Sequence, residues 1–548
     1  MLAIGAFRSS PLTPNAVWTL SGFQTIAADT GIWGALGSSV LYSGLTTVIS
    51  LVAATGFAIL NVRTDVRFRK IITPMMVTLA VVPNLFYVLA WSMLGSSEGG
   101  IISQGLKAIG MSEVTQYLNI MGWPGLVLVT AVKVTGLAYL LLIGPIRNLD
   151  PGVEDAAVMC GVPRLKAFRQ ITLPSLIPAL SATGALLFVA GLETFEIPAM
   201  LGRPVGIEPL SVFIYGYLDS DLSPDYASAT ALSLVFVVVV ALLLVLQARI
   251  LGTRDFTTVG GKTRQHAPLS LPSAVRGSLN VILLGFFAVA LVLPLAQIVI
   301  GSFQSYFGGY ETWTLAHYVE AASNRRMQGA ITATLFIAVL GGAVSALLSF
   351  TLAYVIHRYR GTKTALLFKI GTWVPATAPG IVLSISLLWM YLYTPGLREL
   401  FGTPWMMMLA LIVATLPIAA RAIEGSVVQI RTELEEAARI SGASKTKSVL
   451  TITARLCLPS ILSGWLLVGL MMSGRLDIPM MLQSTGNQTI TTLTYAMYGR
   501  GEVAESAAAY CLYLACLLLV VCIVALTFRA YQHRQKRLVH SAQIGNAK

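Results

Sequence analysis

The chain has 548 residues, of which 55% are hydrophobic and only 11% charged, with a mean hydropathy of +0.75. Soluble domains carry roughly a quarter charged residues, so these values exclude a water-soluble globular protein and leave no room for a sizeable soluble domain. A formal charge of +13 would suggest nucleic acid in a soluble chain; here the basic residues sort by membrane side, and no nucleic-acid partner is expected.

In chain order, apolar runs of about 20 residues, enough to cross roughly 30 Å of hydrocarbon as helices, fall near 35–60, 71–94, 124–146, 178–200 and 228–250. Six more follow, near 278–302, 328–356, 370–393, 405–423, 460–482 and 506–528. The expected fold is therefore all-α, a polytopic transmembrane helical bundle of about 11 spans. Basic clusters set the orientation, because lysine and arginine are retained on the cytoplasmic side during insertion. Arg63, Arg67, Arg69 and Lys70 form one cluster, and Arg249, Arg254, Lys262, Arg264 and Arg276 a second. Arg358, Arg360, Lys363 and Lys369 form a third, and Arg529, Arg534, Lys536 and Arg537 a fourth. All fall on one face, so the C-terminus is predicted to be cytoplasmic and the N-terminus to lie on the opposite side.

Residues 251–277, with Gly260, Gly261, Pro268 and Pro272 among polar neighbours, read as a cytoplasmic linker between a first half, 1–250, and a second, 278–548. Gly261-Lys262-Thr263 looks like the end of a phosphate-binding loop, but the glycine that such a loop needs five positions before Gly261 is Phe256. ATP chemistry, if used, has to come from another subunit. Neither the five cysteines (Cys160, Cys457, Cys511, Cys516, Cys522) nor the five histidines have metal-ligand spacing, and no catalytic cluster, cofactor or metal site is expected.

The halves are copies of one another. Asp155-Ala156-Ala157 followed by Gly161 recurs as Glu436-Ala437-Ala438 followed by Gly442, an offset of 281. Glu196-Ile197-Pro198 recurs as Asp477-Ile478-Pro479 at the same 281. Six crossings separate the copies, so the halves form a parallel repeat about an axis along the membrane normal. Each Ala-Ala segment reads as a short cytoplasmic helix ended by its glycine in the left-handed conformation. Thr432 with Glu435 predicts a capping box for the second, while Asp150 and Pro151 predict the cap and first turn of the first. Paired alanines let another protein approach closely. The plainer reading is a pair of amphipathic helices that happen to be duplicated.

These residues resemble the EAA loop of bacterial ABC importer permeases, in which Glu-Ala-Ala is followed by glycine and then Ile-x-Leu-Pro. The first copy has Asp155 in place of glutamate, then Gly161, Ile171, Leu173 and Pro174; the second has Glu436, Gly442 and Ile452, but Ala454-Arg455 where Leu-Pro is expected. Leu458-Pro459 follows four residues later, which predicts an extra helical turn there. Two such loops in one chain resemble the fused permeases of the ferric-iron and thiamine importer group, whose members have 12 spans. The resemblance implies two ATP-binding-cassette ATPase subunits docked at Glu154, Asp155, Ala156, Ala157 and Gly161 and at Glu435, Glu436, Ala437, Ala438 and Gly442. It also implies a periplasmic substrate-binding protein above the membrane, and a cargo of ferric iron, with thiamine, a polyamine or an oxyanion as alternatives. An ion-coupled secondary transporter is the other class with duplicated halves.

Ionisable residues within spans are functional candidates. Glu196 and Asp477 are expected about 27 Å up their spans at 1.5 Å per residue, at an outer mouth or as hydrated interfacial carboxylates. Glu193 and Arg475 lie slightly deeper, and Arg475, two residues from Asp477, is expected on a different helix face. Lys133 falls near the midplane with no carboxylate at its level, so it either lines the pathway or neutralises a group on another helix.

Trp18-Thr19-Leu20, Ala58 and Arg63 match Trp313-Thr314-Leu315, Ala353 and Arg358 at an offset of 295. The span near 278–302 then has its first-half counterpart at about positions −17 to 7, of which only Met1 to Ala6 are present. The reading expects either a first-half helix lying before Met1 or a protein that functions with eleven spans.

Overall fold

Proline placement decides where the long apolar helices of this chain bend. The computed structural model describes all residues except 12–16, 116–118, 150, 220–223, 252–270, 374, 376–377, 485 and 546–548. The predicted cap Asp150, the Gly261-Lys262-Thr263 segment and most of the linker lie outside the described residues.

The first half contains α1 (Gly31–Arg63), α2 (Arg69–Val81), α3 (Asn84–Leu94), α4 (Trp123–Arg147), α5 (Pro151–Met159), α6 (Leu173–Glu193), α7 (Glu196–Leu201) and α8 (Tyr226–Leu251). The second contains α9 (Ser273–Ser302), α10 (Arg325–Arg358), α11 (Lys363–Trp373), α12 (Gly380–Tyr393), α13 (Pro404–Gln429), α14 (Glu433–Ile440), α15 (Ala454–Gly474), α16 (Asp477–Leu482) and α17 (Val503–Gly545). In the first half α1 packs on α4 and α6; in the second α10 packs on α13 and α15. This is the predicted all-α bundle, with the same helix order in both halves after α9.

Among the described residues nine helices are long and apolar enough to cross a membrane, or ten if the bent pair α2–α3 counts as one span. The expected eleven continuous spans are corrected at two places. The run 71–94 turns by 100° between α2 and α3. Pro83 has no N–H to continue the ladder and forces Val82 out of the helical region, to φ −51° and ψ 129°. The run 370–393 divides into α11 and α12, with Pro379 extended at ψ 143°. At 1.5 Å per residue, the 14 residues of α12 reach only about 21 Å. The runs 178–200 and 460–482 also break near their ends, at Thr194 (ψ 130°) and Arg475 (ψ 139°).

The second half grips the first through α9 and α17. Phe57 of α1 meets Phe286 of α9 with ring centroids 4.5 Å apart, Tyr87 of α3 donates to the Ala290 carbonyl at 3.0 Å, and Phe86 stacks on Tyr510 of α17 at 5.2 Å. One buried apolar cluster therefore runs through both halves.

Candidate functional site

Each duplicated loop is built turn for turn on the same plan. α5 and α14 are followed by Gly161 at φ +87° and Gly442 at φ +89°, a left-handed conformation that side chains with a Cβ resist. The bond pattern that closes each helix is also shared. Val162 N–H donates to the Ala157 carbonyl at 3.1 Å and Ala443 N–H to the Ala438 carbonyl at 3.0 Å, so the second alanine of each pair anchors the stop. Short helices at Arg164–Ala167 and Lys445–Ser448 follow, then π-helical turns at Phe168–Thr172 and Val449–Thr453, then α6 and α15.

Every one of these second-helix boundaries is displaced by 281, which corrects the expected extra turn after the second loop. No residue is inserted: Ala454-Arg455 simply stands where Leu173-Pro174 stands, and Pro459 corresponds to Pro178 inside the equivalent helix. The predicted capping box is corrected as well. Thr432 is helical, at φ −65° and ψ −28°, and its side chain makes no capping bond. The Glu435 carboxylate is engaged elsewhere, by the hydroxyls of Thr453 and of Tyr354, the latter at 3.0 Å.

That inward turn of Glu435, and of its counterpart Glu154, ties each loop to the membrane helices. Arg63, at the end of α1, pairs with Glu154 at 2.5 Å, and Thr172 donates to the same oxygen at 2.6 Å. Arg358, at the end of α10, stands 3.9 Å from Glu435 and 3.8 Å from Glu436. Thr172, Thr453 and Tyr354 were not singled out by sequence reasoning, which read Arg63 and Arg358 only as orienting charges and as markers of the repeat. The signal was available, since Arg63 and Arg358 share the 295 offset, and Thr172 and Thr453 the 281 offset.

The outer faces of α5 and α14 carry Asp155, Ala156, Glu436 and Ala437, all exposed, with Ala157 and Ala438 half-buried. Beside them Met159 and Ile440, again 281 apart, are each 88% exposed, and Val153 and Leu434 add further bare apolar surface. Bare apolar groups beside charged ones give each loop an amphipathic outer face.

The intramembrane charges gather at the seam between the halves. Lys133 is buried and donates to the carbonyls of Leu79 at 2.6 Å, Ala80 at 3.2 Å and Val82 at 2.6 Å. Its partners are the carbonyls that the Pro83 break strips of helical donors, and a cation suits the negative end of α2. Sequence reasoning sought a carboxylate or water as its partner.

Arg475 and Asp477, expected on different faces, are a pair. Arg475 donates through Nε at 3.0 Å and Nη2 at 2.5 Å to the two oxygens of Asp477, because the backbone between α15 and α16 is not helical. Glu196 and Asp477, expected as mouth or hydrated carboxylates, are buried, at 6% and 4% exposure. The short helices α7 and α16 tuck them under the ends of α6 and α15. Glu196 accepts a long bond from Leu476 N–H at 3.4 Å, across the seam. Glu193 is half-buried, and its Oε1 is enclosed without a hydrogen-bond partner.

The family described as "Binding-protein-dependent transport system inner membrane component" matches residues 46–254 and 338–540, once in each half. The chain is similar to the ferric transport system permease protein FbpB of Actinobacillus pleuropneumoniae, with 25% identity over 433 residues, covering 78% of this chain and 61% of that protein. A putative ferric transport system permease protein of Haemophilus influenzae is 24% identical over 432 residues, covering 78% and 66%. The putrescine transport system permease protein PotI of Escherichia coli is 25% identical over 241 residues, covering 43% and 79%. The matched region thus spans about three fifths to two thirds of the length of the ferric relatives.

Proposed function

From the premise that this chain belongs to the family of binding-protein-dependent transport system inner membrane components, we infer that it is the permease subunit of an ATP-binding-cassette importer. Its halves, 1–250 and 278–548 joined by 251–277, move cargo from a periplasmic binding protein to the cytoplasm, where the C-terminus lies. Two ATPase subunits supply the energy. Ferric iron is the cargo that the names of the similar permeases favour most, with a polyamine next.

The observation that carries this reading is the duplicated docking surface. Met159 and Ile440 stand bare beside Ala156 and Ala437, and behind them Glu154 and Glu435 lead back to Arg63 and Arg358. When the ATPases close, each loop moves with its subunit. The Glu154–Arg63 contact then pulls the end of α1, while the π turn behind the loop pulls α6. The corresponding links in the second half pull α10 and α15. Driving both halves together opens the seam to one side and then the other, the motion expected of parallel repeats.

The test is reconstitution of the chain with its cognate ATPase and binding protein in liposomes. ATP hydrolysis is expected to rise when loaded binding protein is added outside, with ferric iron accumulating inside. Uptake driven by an ion gradient with no nucleotide present would overturn the reading in favour of a secondary transporter.

A further inference from the structure

Glu193 to Glu196 in the first half and Gly474 to Asp477 in the second occupy the same place in the repeat and face each other across the seam. Together they gather three carboxylates, the buried Glu196 and Asp477 and the half-buried Glu193, beside one guanidinium, Arg475. Electrostatics joins them into one cluster, since Glu193 and Glu196 both lie in the field of Arg475 and Asp477. Lys133 also senses Glu196. Even with Lys133 counted the acids outnumber the bases by one, and Lys133 is already held by three carbonyls.

Asp477 has its partners in Arg475 and in its neighbour's Ile478 N–H at 2.9 Å. The surplus therefore falls on Glu193 and Glu196. Tyr510 of α17 adds an independent sign that the cluster is incomplete. Its side chain is fully buried, its hydroxyl has no hydrogen-bond partner, and it lies in the field of Glu196. Buried carboxylate charge without compensation costs several kcal/mol or more, and a buried orphan hydroxyl adds to that. Surplus acid and a spare hydroxyl at the junction of two moving halves make a place where a cation is welcome. Among the described residues no three acidic, histidine or cysteine side chains converge as metal ligands. A loose set of oxygens suits passage, which requires release, better than storage.

Resting on the permease reading, we propose that Glu193, Glu196 and Tyr510 form a transit site for a positively charged cargo, with Arg475 as the resident counter-ion that closes the site between turnovers. Gly380, at the start of α12, packs directly on this ion pair: a Cβ placed there would overlap Asp477 Oδ2 and lie 2.6 Å from Arg475 Nη2. The site selects by charge, taking a multivalent metal cation or an organic polycation and rejecting an oxyanion.

The probe is Tb³⁺, whose luminescence is sensitised by nearby tyrosine and tryptophan. It is titrated into the purified transporter with its ATPases bound, both resting and trapped with vanadate. Saturable luminescence is expected in at least one state. The Glu193→Gln/Glu196→Gln double variant should bind at least about tenfold more weakly, and Glu193→Asp should stay within about threefold of wild type, as expected when buried charge is removed or merely moved. Stimulation of ATP hydrolysis by the binding protein is measured on the same samples. Its absence from wild type would count against the permease reading and not against the site. No saturable signal above that of the double variant in either state overturns the transit site and leaves Glu193 and Glu196 as packing groups.

Discussion

The docking loops of the two halves coincide turn for turn, but the ionic contacts behind them differ. Loop one is tied by a close pair, Arg63 to Glu154 at 2.5 Å, with Arg63 only 6% exposed. Loop two has Arg358 shared between Glu435 at 3.9 Å and Glu436 at 3.8 Å, supplemented by Tyr354, where the first half has Ile59 at the 295 offset. The elbows diverge further. Lys133 caps the break after α2, and the equivalent residue of α13 is Ala414; Arg475 stands where the first half has Thr194. Backbone geometry is kept in both loops, as the proposed docking of an ATPase at each requires, while the buried charges have specialised, one half supporting its elbow and the other its ion pair. The halves are therefore mechanically alike and electrostatically unequal.

The strongest way to break the mechanical likeness is at its glycines. Gly161→Val or Gly442→Val places a β-branched residue at φ +87° or +89°, a strain of order 1–3 kcal/mol concentrated on the loop. Either change alone should abolish most uptake while the protein still inserts and folds, as read by transport and by detergent-extracted yield. Full uptake and full ATPase association in both variants would refute the docking assignment.

The electrostatic inequality is sharpened by removing the arginines one at a time. Arg63→Ala removes a close pair from Glu154, leaving it Thr172 alone, and should cost about 3 kcal/mol, whereas Arg358→Ala breaks longer, shared contacts to a Glu435 that keeps the Thr453 and Tyr354 hydroxyls and should cost about 1 kcal/mol. Thermal unfolding of the two variants in parallel gives the order; equal losses would remove the distinction.

Lys133→Met strands three carbonyls at the α2 elbow and should destabilise by about 2–3 kcal/mol, with little effect on docking measured by ATPase binding. A neutral outcome would mean that water or a shifted α3 replaces the ammonium.

The smallest expected effect lies outside the spans, in the turn before α17. Arg500 donates to both oxygens of Glu502, at 2.9 Å each, and holds its carboxyl below the usual range. A depressed carboxylate stabilises the fold above its unfolded value and loses that contribution as pH falls through the lowered one. Glu502→Gln should therefore lie slightly below wild type in stability at neutral pH and converge with it as pH falls below about 4.5, which appears as a flatter acid limb. Because the pair is solvent-exposed, the difference is expected to be slight.

The bundle, the repeat and the paired loop helices were legible because they rest on local chemistry: long apolar runs, a fixed offset, and glycine after paired alanine. Span continuity was not. Pro83 and Pro379 were visible in the sequence, yet only packing decides whether a proline kinks a membrane helix or ends it. The partners of Lys133 could not be found by scanning side chains, because they are backbone carbonyls released by that break. Arg475 and Asp477 were assigned to different faces by assuming helix at a position where the backbone is extended. The extra turn after the second loop came from matching Leu458-Pro459 by motif; matching Pro459 to Pro178 by offset would have avoided it.

The central claim is that one chain carries two equivalent ATPase docking surfaces, and native mass spectrometry of the intact transporter tests it most directly. Met159 and Ile440 are each 88% exposed, so Met159→Asp and Ile440→Asp alter the contact surface without touching the buried core. The account predicts one chain with two ATPase subunits for wild type, loss of one subunit in either single variant, and loss of both in the double variant. A double variant that keeps both subunits would contradict it.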